Sequence, residues 1–244
     1  MYRTIISKAD AKGVDGIPWA PVFWKHMSGL YVYTCPLGDD EFEVTVRIRR
    51  PQVGEGQVSW GRPFKLDTLL HEFTDFCQPV QDILHLAAQR QTQEFALLSG
   101  PRSRSMTCRG NTVLVGDAAH ALCGNFGAGA GFALEDVYTL AKSLDWAYSS
   151  NRTIADALNL YDLVRSPHYG RLYAVLDNFA AIKRALSAEC LPLDEDIKAR
   201  ITRIAQASES WMYYYDIDKA VKETIDEANK SAKRTSTASA STRL

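Results

Sequence analysis

The sequence predicts an α/β (α+β) protein, with a β-sheet near its start and helices over its second half. Two β-rich runs precede residue 50, and helical spacing of apolar residues dominates after residue 129. Between these regions an apolar strand leads into a Gly-Asp dipeptide, a glycine-rich segment and a helix. A strand end followed by glycines and a helix commonly binds an anionic or polar ligand. We therefore expect a sheet, a ligand-binding corner and a helical region, in that order.

Composition limits the classes to which the protein can belong. Its 244 residues are 46% hydrophobic, with a net charge of -1, so it can bury a core and no overall field draws it to nucleic acid or to an anionic membrane. No stretch approaches the roughly 18 apolar residues of a membrane span. The 5 cysteines are widely spaced, without a CxxC motif. We expect free thiols, no metal site and a reducing, cytoplasmic compartment.

The first β-rich region is typical of a hairpin. The runs on either side of the turn at 38–40 contain many β-branched and aromatic residues. In the second run Phe42, Val44 and Val46 alternate with polar residues, which predicts a strand with one buried face. Downstream, helical spacing is broken at Pro79 and a second short helix follows.

The later elements are predicted from shorter signals. Residues 111–117 indicate a short buried strand, and the helix that follows places five apolar residues along one face. The pattern is again helical from Thr153 to about Leu186, with an interruption at Pro167 and Gly170. Residues 229–244 are small, polar and aperiodic, so we expect them to be disordered. The five apolar residues are Leu134, Val137, Leu140, Ala141 and Leu144.

The Gly-Asp corner has the chemistry of a binding site. Backbone N–H groups and the positive end of a helix dipole point towards such a strand end. Gly127, Gly129 and Gly131 leave room for a ring or a phosphate against the backbone, and Asp117 can accept hydrogen bonds from ligand hydroxyls. The residues alone indicate a site for a polyol or a delocalised anionic ring. A tight strand–helix corner with glycines for packing is the alternative.

The stretch GDAAHALCGNFGAGAGFALEDV, residues 116–137, resembles the second flavin-binding motif of the FAD-dependent aromatic-ring monooxygenases. MYRTII at the start and LNLYDLVRSPHYGRLYAVLDN at 158–178 are also similar to parts of the salicylate-hydroxylase-like, fungal members. The resemblance covers roughly residues 1–225 and implies the C-terminal half of that fold. Its implied segments are a partial substrate-binding domain (1–100), a FAD-binding segment (101–150), a C-terminal helical region (151–228) and a disordered tail (229–244).

The resemblance also implies roles for individual residues. Asp117 would bind the ribityl hydroxyls of the flavin, and the glycine-rich helix start would face the pyrimidine edge of the isoalloxazine ring. Arg3 matches an arginine that binds or activates a phenolate-like substrate, and Tyr33 is the candidate to replace the tyrosine that accompanies it. The implied cofactor-binding residues are Gly116, Asp117, Gly127, Ala128, Gly129 and Ala130.

The implied activity is hydroxylation of a phenolic or polyketide-like small molecule, with FAD as cofactor, NAD(P)H as reductant and O2 as co-substrate. Three features depart from the family, and one is that Cys35 and Pro36 stand about where it has the tyrosine mentioned above. No GxGxxG strand–turn–helix unit is present, and Gly124 stands where the family has a loop proline. Three hypotheses stay open: a monooxygenase, a cofactor-free isomerase or cyclase on a reused fold, and an inactive half that needs a separate nucleotide-binding partner chain.

Four residues in or after the motif are expected to be structural. His120 is adjacent to the corner, but the resemblance gives it no catalytic role. Glu135 and Asp136 are expected to charge the first turn of the helix, where acidic residues are favoured. Arg165 is expected to form an ion pair on a helix surface.

Overall fold

The computed structural model divides into two compact units, Met1–Leu97 and Leu98–Leu244. The first unit is built on a β-sheet and the second is mainly helical. The finer predicted division at residues 150 and 228 stays a prediction. The residues that the structure describes are 1–48, 60–97, 102–122, 127–207 and 211–241, with side chains as far as 232.

The first unit contains one antiparallel sheet with the strand order β2-β3-β4-β1-β6-β5. Three helical segments accompany it, one of them a 3-10 helix at Leu66–Phe73. The strands are β1 (Tyr2–Ser7), β2 (Val22–Lys25), β3 (Tyr31–Pro36), β4 (Glu41–Arg47), β5 (Trp60–Phe64) and β6 (Thr92–Phe95), and the helices are α1 (Lys8–Lys12) and α2 (Gln78–Ala88).

The core of the first unit lies on one face of this sheet. The hairpin prediction is confirmed, because β3 and β4 pair across the turn at 38–40 and Phe42, Val44 and Val46 are buried. These side chains form one apolar cluster with residues of the 3-10 helix and of α2. Pro79 lies in the first turn of α2, where its missing N–H breaks no helical bond.

The second unit consists of a two-stranded ladder, five α-helices and a 3-10 helix within the described residues. Its elements are β7 (Thr107–Cys108), β8 (Thr112–Val113), α3 (Asp117–His120), α4 (Gly129–Ser149), α5 (Ile154–Glu189), α6 (Leu193–Ala207), a 3-10 helix (Trp211–Tyr213) and α7 (Ile217–Ser241). None of the described helices is both long and apolar enough to cross a membrane.

The strand before the Gly-Asp dipeptide is shorter and less buried than the sequence predicts. Its ladder is limited to Thr112–Val113, which pairs with β7 and with no other described strand. Leu114, the next residue, is 36% exposed. The prediction of a buried strand over 111–117 is therefore wrong, because a strand needs a ladder partner along its length.

Most of the apolar stripe of α4 faces outward, although Leu140 packs against a buried apolar cluster. Leu134, Val137 and Tyr148 are 72%, 57% and 91% exposed. The buried face of the helix instead contains Phe132, Asp136, Thr139, Ser143, Trp146 and Ala147. The Thr139 and Ser143 hydroxyls donate to carbonyls one turn earlier, so these polar side chains are buried with their donors satisfied.

Helix α5 continues without a break through Pro167 and Gly170, so the predicted interruption is wrong. Buried neighbours on both sides of Pro167 anchor this segment, and tertiary packing outweighs the local preference of proline and glycine. Helix α7 also departs from prediction, since it extends to Ser241 through part of the segment expected to be disordered. Residues 217–241 contain no proline or glycine to end the helix.

Candidate functional site

The Gly-Asp corner depends on one glycine with an unusual backbone. Gly116 has φ 61° and ψ -140°, a conformation that residues with a side chain rarely adopt. It is followed directly by α3, which begins at Asp117. The chain therefore changes from strand to helix at a single residue, and Asp117 is presented at the start of α3.

Asp117 is a free acceptor at this corner. Its side chain belongs to an exposed residue, and no described residue hydrogen-bonds its carboxylate. The first turn of α3 is also where a negative charge is stabilised by the backbone N–H groups. An exposed carboxylate without a protein partner is suited to accept hydrogen bonds from ligand hydroxyls.

The start of α4 offers unsatisfied donors. Ala128 occupies the N-cap position and provides no side-chain cap, and the first turn contains no acidic residue. The first helical hydrogen bond runs from the N–H of Phe132 to the carbonyl of Ala128, at 2.9 Å. The N–H groups of the preceding helical residues 129–131 therefore have no α-helical acceptor.

The glycines leave open space next to these donors. A Cβ atom placed on Gly127, Gly129 or Gly131 would meet no atom within 4 Å. Gly127 also has a positive φ of 62°. An uncapped helix start lined by glycines, together with the free carboxylate of Asp117, fits a flavin that presents ribityl hydroxyls and a polar ring edge. The predicted effect of Gly124 lies outside the described residues.

A buried cluster around Asp136 holds this corner in place. One oxygen of its carboxylate accepts from the Gly116 N–H at 2.9 Å and from His120 Nε2 at 2.9 Å. The other oxygen accepts from Arg165 Nε at 2.8 Å and from the hydroxyl of Tyr169. Asp136 therefore links the strand end, α3, α4 and α5.

The electrostatics of the cluster favour the charged form of Asp136. Burial alone would raise its pKa, but hydrogen bonds from His120, Tyr169 and Gly116 and the charge of Arg165 lower the pKa below its ordinary value. Burial also lowers the pKa of His168, against the effect of Glu135, whose Oε2 lies 3.4 Å from His168 Nε2.

The cluster corrects two of the sequence-based expectations. Arg165 is fully buried rather than on a helix surface, and it also donates to Glu135 Oε2 at 2.8 Å. Glu135 and Asp136 lie beyond the first turn of α4 and bind side chains of α5 instead of charging the helix start. His120 is 0% exposed and bonded to Asp136, in agreement with a structural role.

The first unit places Arg3 on the face of the sheet opposite the apolar core. Its guanidinium lies 3.0 Å from Glu43 Oε2, and the Thr45 hydroxyl donates to Glu43 Oε1 at 2.7 Å. Arg3 and Tyr33 both pair with Thr45 in the ladder, so all three share one face. Burial, and after it a hydrogen bond with Cys35, raises the pKa of Tyr33 to about 12.

A cavity of about 350 Å³ opens beside Arg3. Its volume is within the range of small-molecule sites. The sequence analysis did not identify Glu41, which lines the cavity, or Glu43, which pairs with Arg3, as functional. Their alternation with apolar residues is equally typical of a solvated strand face. Among the described residues no cluster of three or more metal-ligating side chains is present. The cavity is lined by Arg3, Ile5, Leu37, Glu41, Gln91 and Gln93.

Curated relatives of the chain include hydroxylases and FAD-dependent monooxygenases, although no protein-family model matches the chain. Salicylate hydroxylase from Pseudomonas putida is 32% identical over 124 residues, which is 47% of this chain and 25% of that protein. 3-Hydroxybenzoate 6-hydroxylase 2 from Aquipseudomonas alcaligenes is 24% identical over 231 residues, or 92% of this chain and 67% of that protein.

Solved structures with the same fold are flavoprotein monooxygenases. A salicylate hydroxylase substrate complex superposes with a TM-score of 0.67 at 21% identity, covering 91% of this chain and 55% of its own. CtdE in complex with FAD and substrate 4 gives a TM-score of 0.64 at 17% identity, covering 93% and 56%. The chain thus has the fold of part of these proteins and spans about half of their length. The resemblance stated from the sequence is confirmed.

Proposed function

We propose that this chain, similar over most of its length to flavoprotein monooxygenases, is the part of such an enzyme that holds the flavin ring and the aromatic substrate. The reaction is hydroxylation of a phenolic or polyketide-like small molecule by O2, with NAD(P)H as reductant. The observation that supports this proposal best is the uncapped, glycine-lined start of α4 beside the free carboxylate of Asp117.

The chain's own residues have binding and orienting roles in this proposal. Asp117 accepts hydrogen bonds from ribityl hydroxyls, and the N–H groups at the start of α4 donate to the pyrimidine edge of the ring. The cluster around Asp136 keeps these donors fixed. Bound FAD supplies the activation of O2 that amino-acid side chains cannot provide. Arg3 donates hydrogen bonds to an oxygen of the substrate.

Flavin titration tests the proposal directly. We expect the purified chain to quench flavin fluorescence saturably, with riboflavin and FAD binding almost equally because the proposed contacts lie on the part common to both. Asp117→Asn should weaken both affinities about tenfold, since hydrogen bonds to a charged acceptor are worth about 1.5–3 kcal/mol. Asp145→Asn, which removes an exposed carboxylate elsewhere on α4, is the matched control. Absence of quenching by a folded chain would exclude the proposal.

We propose further that the outward stripe of α4 packs against the nucleotide-binding half of the enzyme, supplied by other sequence of the same polypeptide or by a second chain. Exposed apolar patches of this kind mark interaction surfaces. Leu134, Val137 and Tyr148 repeat along a single side of the helix and are mostly exposed. Val137→Lys should reduce binding of a GxGxxG-type half measured by calorimetry, whereas the change of Lys142, also exposed on α4, to Arg should not.

The cofactor-free hypothesis has less support. The relatives and the structural neighbours are hydroxylases and monooxygenases. Turnover of a candidate phenol without flavin or NAD(P)H would favour the cofactor-free hypothesis and contradict the function proposed above.

A further inference from the structure

Arg3, the cation that lines the cavity of the first unit, already forms an ion pair with Glu43. Arg3 contacts Glu43 at 3.0 Å, and the Glu43 side chain is only 14% exposed. The Thr45 hydroxyl holds the other oxygen of the same carboxylate at 2.7 Å. Glu43 is therefore fixed by two partners, and an incoming ligand meets Arg3 together with a carboxylate.

A second carboxylate borders the same space. Glu41 lines the cavity with Arg3, while Gln91 and Gln93 contribute uncharged amides. The lining therefore contains one guanidinium, which is paired with Glu43, and one carboxylate, that of Glu41, so it has no net positive charge. Such a balance is opposite to that of a site built to bind a carboxylate, where unpaired arginine or lysine is expected.

Two other described cations on this face of the sheet contact aromatic rings. The Lys25 ammonium lies 5.7 Å from the centre of the Phe23 ring, and the Arg47 guanidinium lies 5.6 Å from the Tyr31 ring. The first contact is within β2 and the second is between β4 and β3, and neither cation lines the cavity. Tyr33 adds no charge at neutral pH, because its pKa is raised to about 12.

We propose that the Arg3–Glu43 pair selects an uncharged ring that bears a hydroxyl group and discriminates against ring carboxylates. A neutral hydroxyl accepts from the remaining guanidinium N–H groups and donates to a carboxylate oxygen, so both partners of the pair are used. A carboxylate competes with Glu43 for the guanidinium and is repelled by Glu41 and Glu43. This inference rests on the proposed function, since it names the substrate class of that site.

The inference separates this chain from the hydroxylases to which it is similar. Salicylate and 3-hydroxybenzoate, which appear in the names of two relatives, are ring carboxylates. The geometry here favours the same kind of ring without the negative charge. Glu43 is then a specificity-determining residue, because its ion pair with Arg3 leaves the guanidinium less available to a ligand carboxylate.

A matched pair of ligands tests this selection without any flavin. 2-Hydroxybenzamide and 2-hydroxybenzoate differ in charge but hardly in shape, and backbone amide shifts of Thr45 and Gln93 report binding to the full chain by NMR. We expect the amide to bind at least about tenfold more tightly than the carboxylate to the wild-type chain. Glu43→Gln should remove or reverse this preference. Asp82→Asn, which deletes an exposed carboxylate on α2, should leave it unchanged.

The outcomes distinguish the inference from the function on which it rests. Equal or tighter binding of 2-hydroxybenzoate by the wild-type chain would overturn the inference, as would a lack of response to both ligands at millimolar concentration. The wild-type comparison stands even where Glu43→Gln fails to fold. A chain that prefers the amide but binds no flavin would support the inference and contradict the proposed function. A chain that binds flavin but prefers 2-hydroxybenzoate would support the proposed function and contradict the inference.

Discussion

The two units differ in what their central elements bury. In the first unit the buried face of the sheet is mainly apolar, with Val46 at 0% exposure, and its buried polar side chains are the threonines Thr4, Thr34 and Thr92. In the second unit α4 buries Asp136, Thr139 and Ser143 and exposes its apolar stripe. An apolar stripe normally faces a core. Its outward position here indicates that the stripe of α4 is a contact surface, while the polar face belongs to the interior of this unit.

The largest expected effect comes from breaking the polar interior of the second unit. Asp136→Ala leaves Arg165 buried without one of its carboxylates and frees the Gly116 N–H, which should destabilise this unit by about 3–5 kcal/mol. Urea unfolding, followed by hydrogen exchange of peptides from each unit, measures the loss separately. Asp145→Ala on the exposed side of α4 is the control. Equal losses in both variants would show that the cluster is not the main support of the corner.

The same substitution in the two units tests the comparison next. Val46→Ala removes methyl groups from a site with 0% exposure and should cost about 2–3 kcal/mol. Val137→Ala changes a side chain that is 57% exposed, so the free energy of unfolding should change by no more than about 0.5 kcal/mol. Both values come from urea titrations of the single variants. A large loss for Val137→Ala would mean that its stripe is already covered.

A smaller loss of stability is expected from removing the side-chain cap at the start of α5. The Thr153 hydroxyl accepts from the Asp156 N–H, and the Asp156 carboxylate accepts from the Thr153 N–H, which forms a capping box at the start of α5. Thr153→Ala should cost about 1 kcal/mol. Thr153→Ser keeps the hydroxyl and should restore most of the stability in the same thermal or urea assay. If serine were as destabilising as alanine, the cap would not be the cause.

The mildest perturbation is a pH titration. Burial lowers the pKa of His168 below its ordinary value of 6.5, so the unfolded chain takes up a proton first as the pH decreases. Stability of the second unit is therefore complete above pH 6.5 and is lost as the pH falls through the folded pKa. The lowered pKa of Asp136 adds a further loss only below its ordinary value of 3.8. His168→Gln should flatten the slope of unfolding free energy between neutral pH and pH 5, and an unchanged slope would point to another group.

Much of the first unit could be predicted because its local signals and its burial agree. Phe42, Val44 and Val46 alternate with more polar residues and lie on the buried face, and the turn at 38–40 connects the strands as expected. Pro79 was the expected break between two helical segments. Period-two alternation identifies a buried face whenever the partner layer is part of the same chain.

The burial pattern and the buried ion pairs of the second unit could not be predicted from the sequence, for physical reasons that particular residues show. The stripe from Leu134 to Leu144 is apolar but mostly exposed, and periodicity alone cannot tell an apolar face that packs into a core from one that does not. Arg165 and Asp136 form an ion pair although they are 29 positions apart in the sequence. At that separation no sequence pattern indicates that two charged side chains are in contact. The Gly-Asp motif nevertheless located the corner, since Gly116 needs its positive φ and Asp117 follows it directly. The roles of Asp117 and of Arg3 stay predictions.

The N–H of Gly116 is hydrogen-bonded to Asp136, a side chain 20 positions away, rather than to a neighbouring strand or to its own helix. Its exchange with solvent deuterium therefore requires the Asp136 carboxylate to release it, and an opening of that kind disturbs Arg165 and Tyr169 as well. The rate at which this single amide exchanges thus measures how often the whole corner opens. The NMR signal of the Gly116 amide would therefore report the opening rate of the corner.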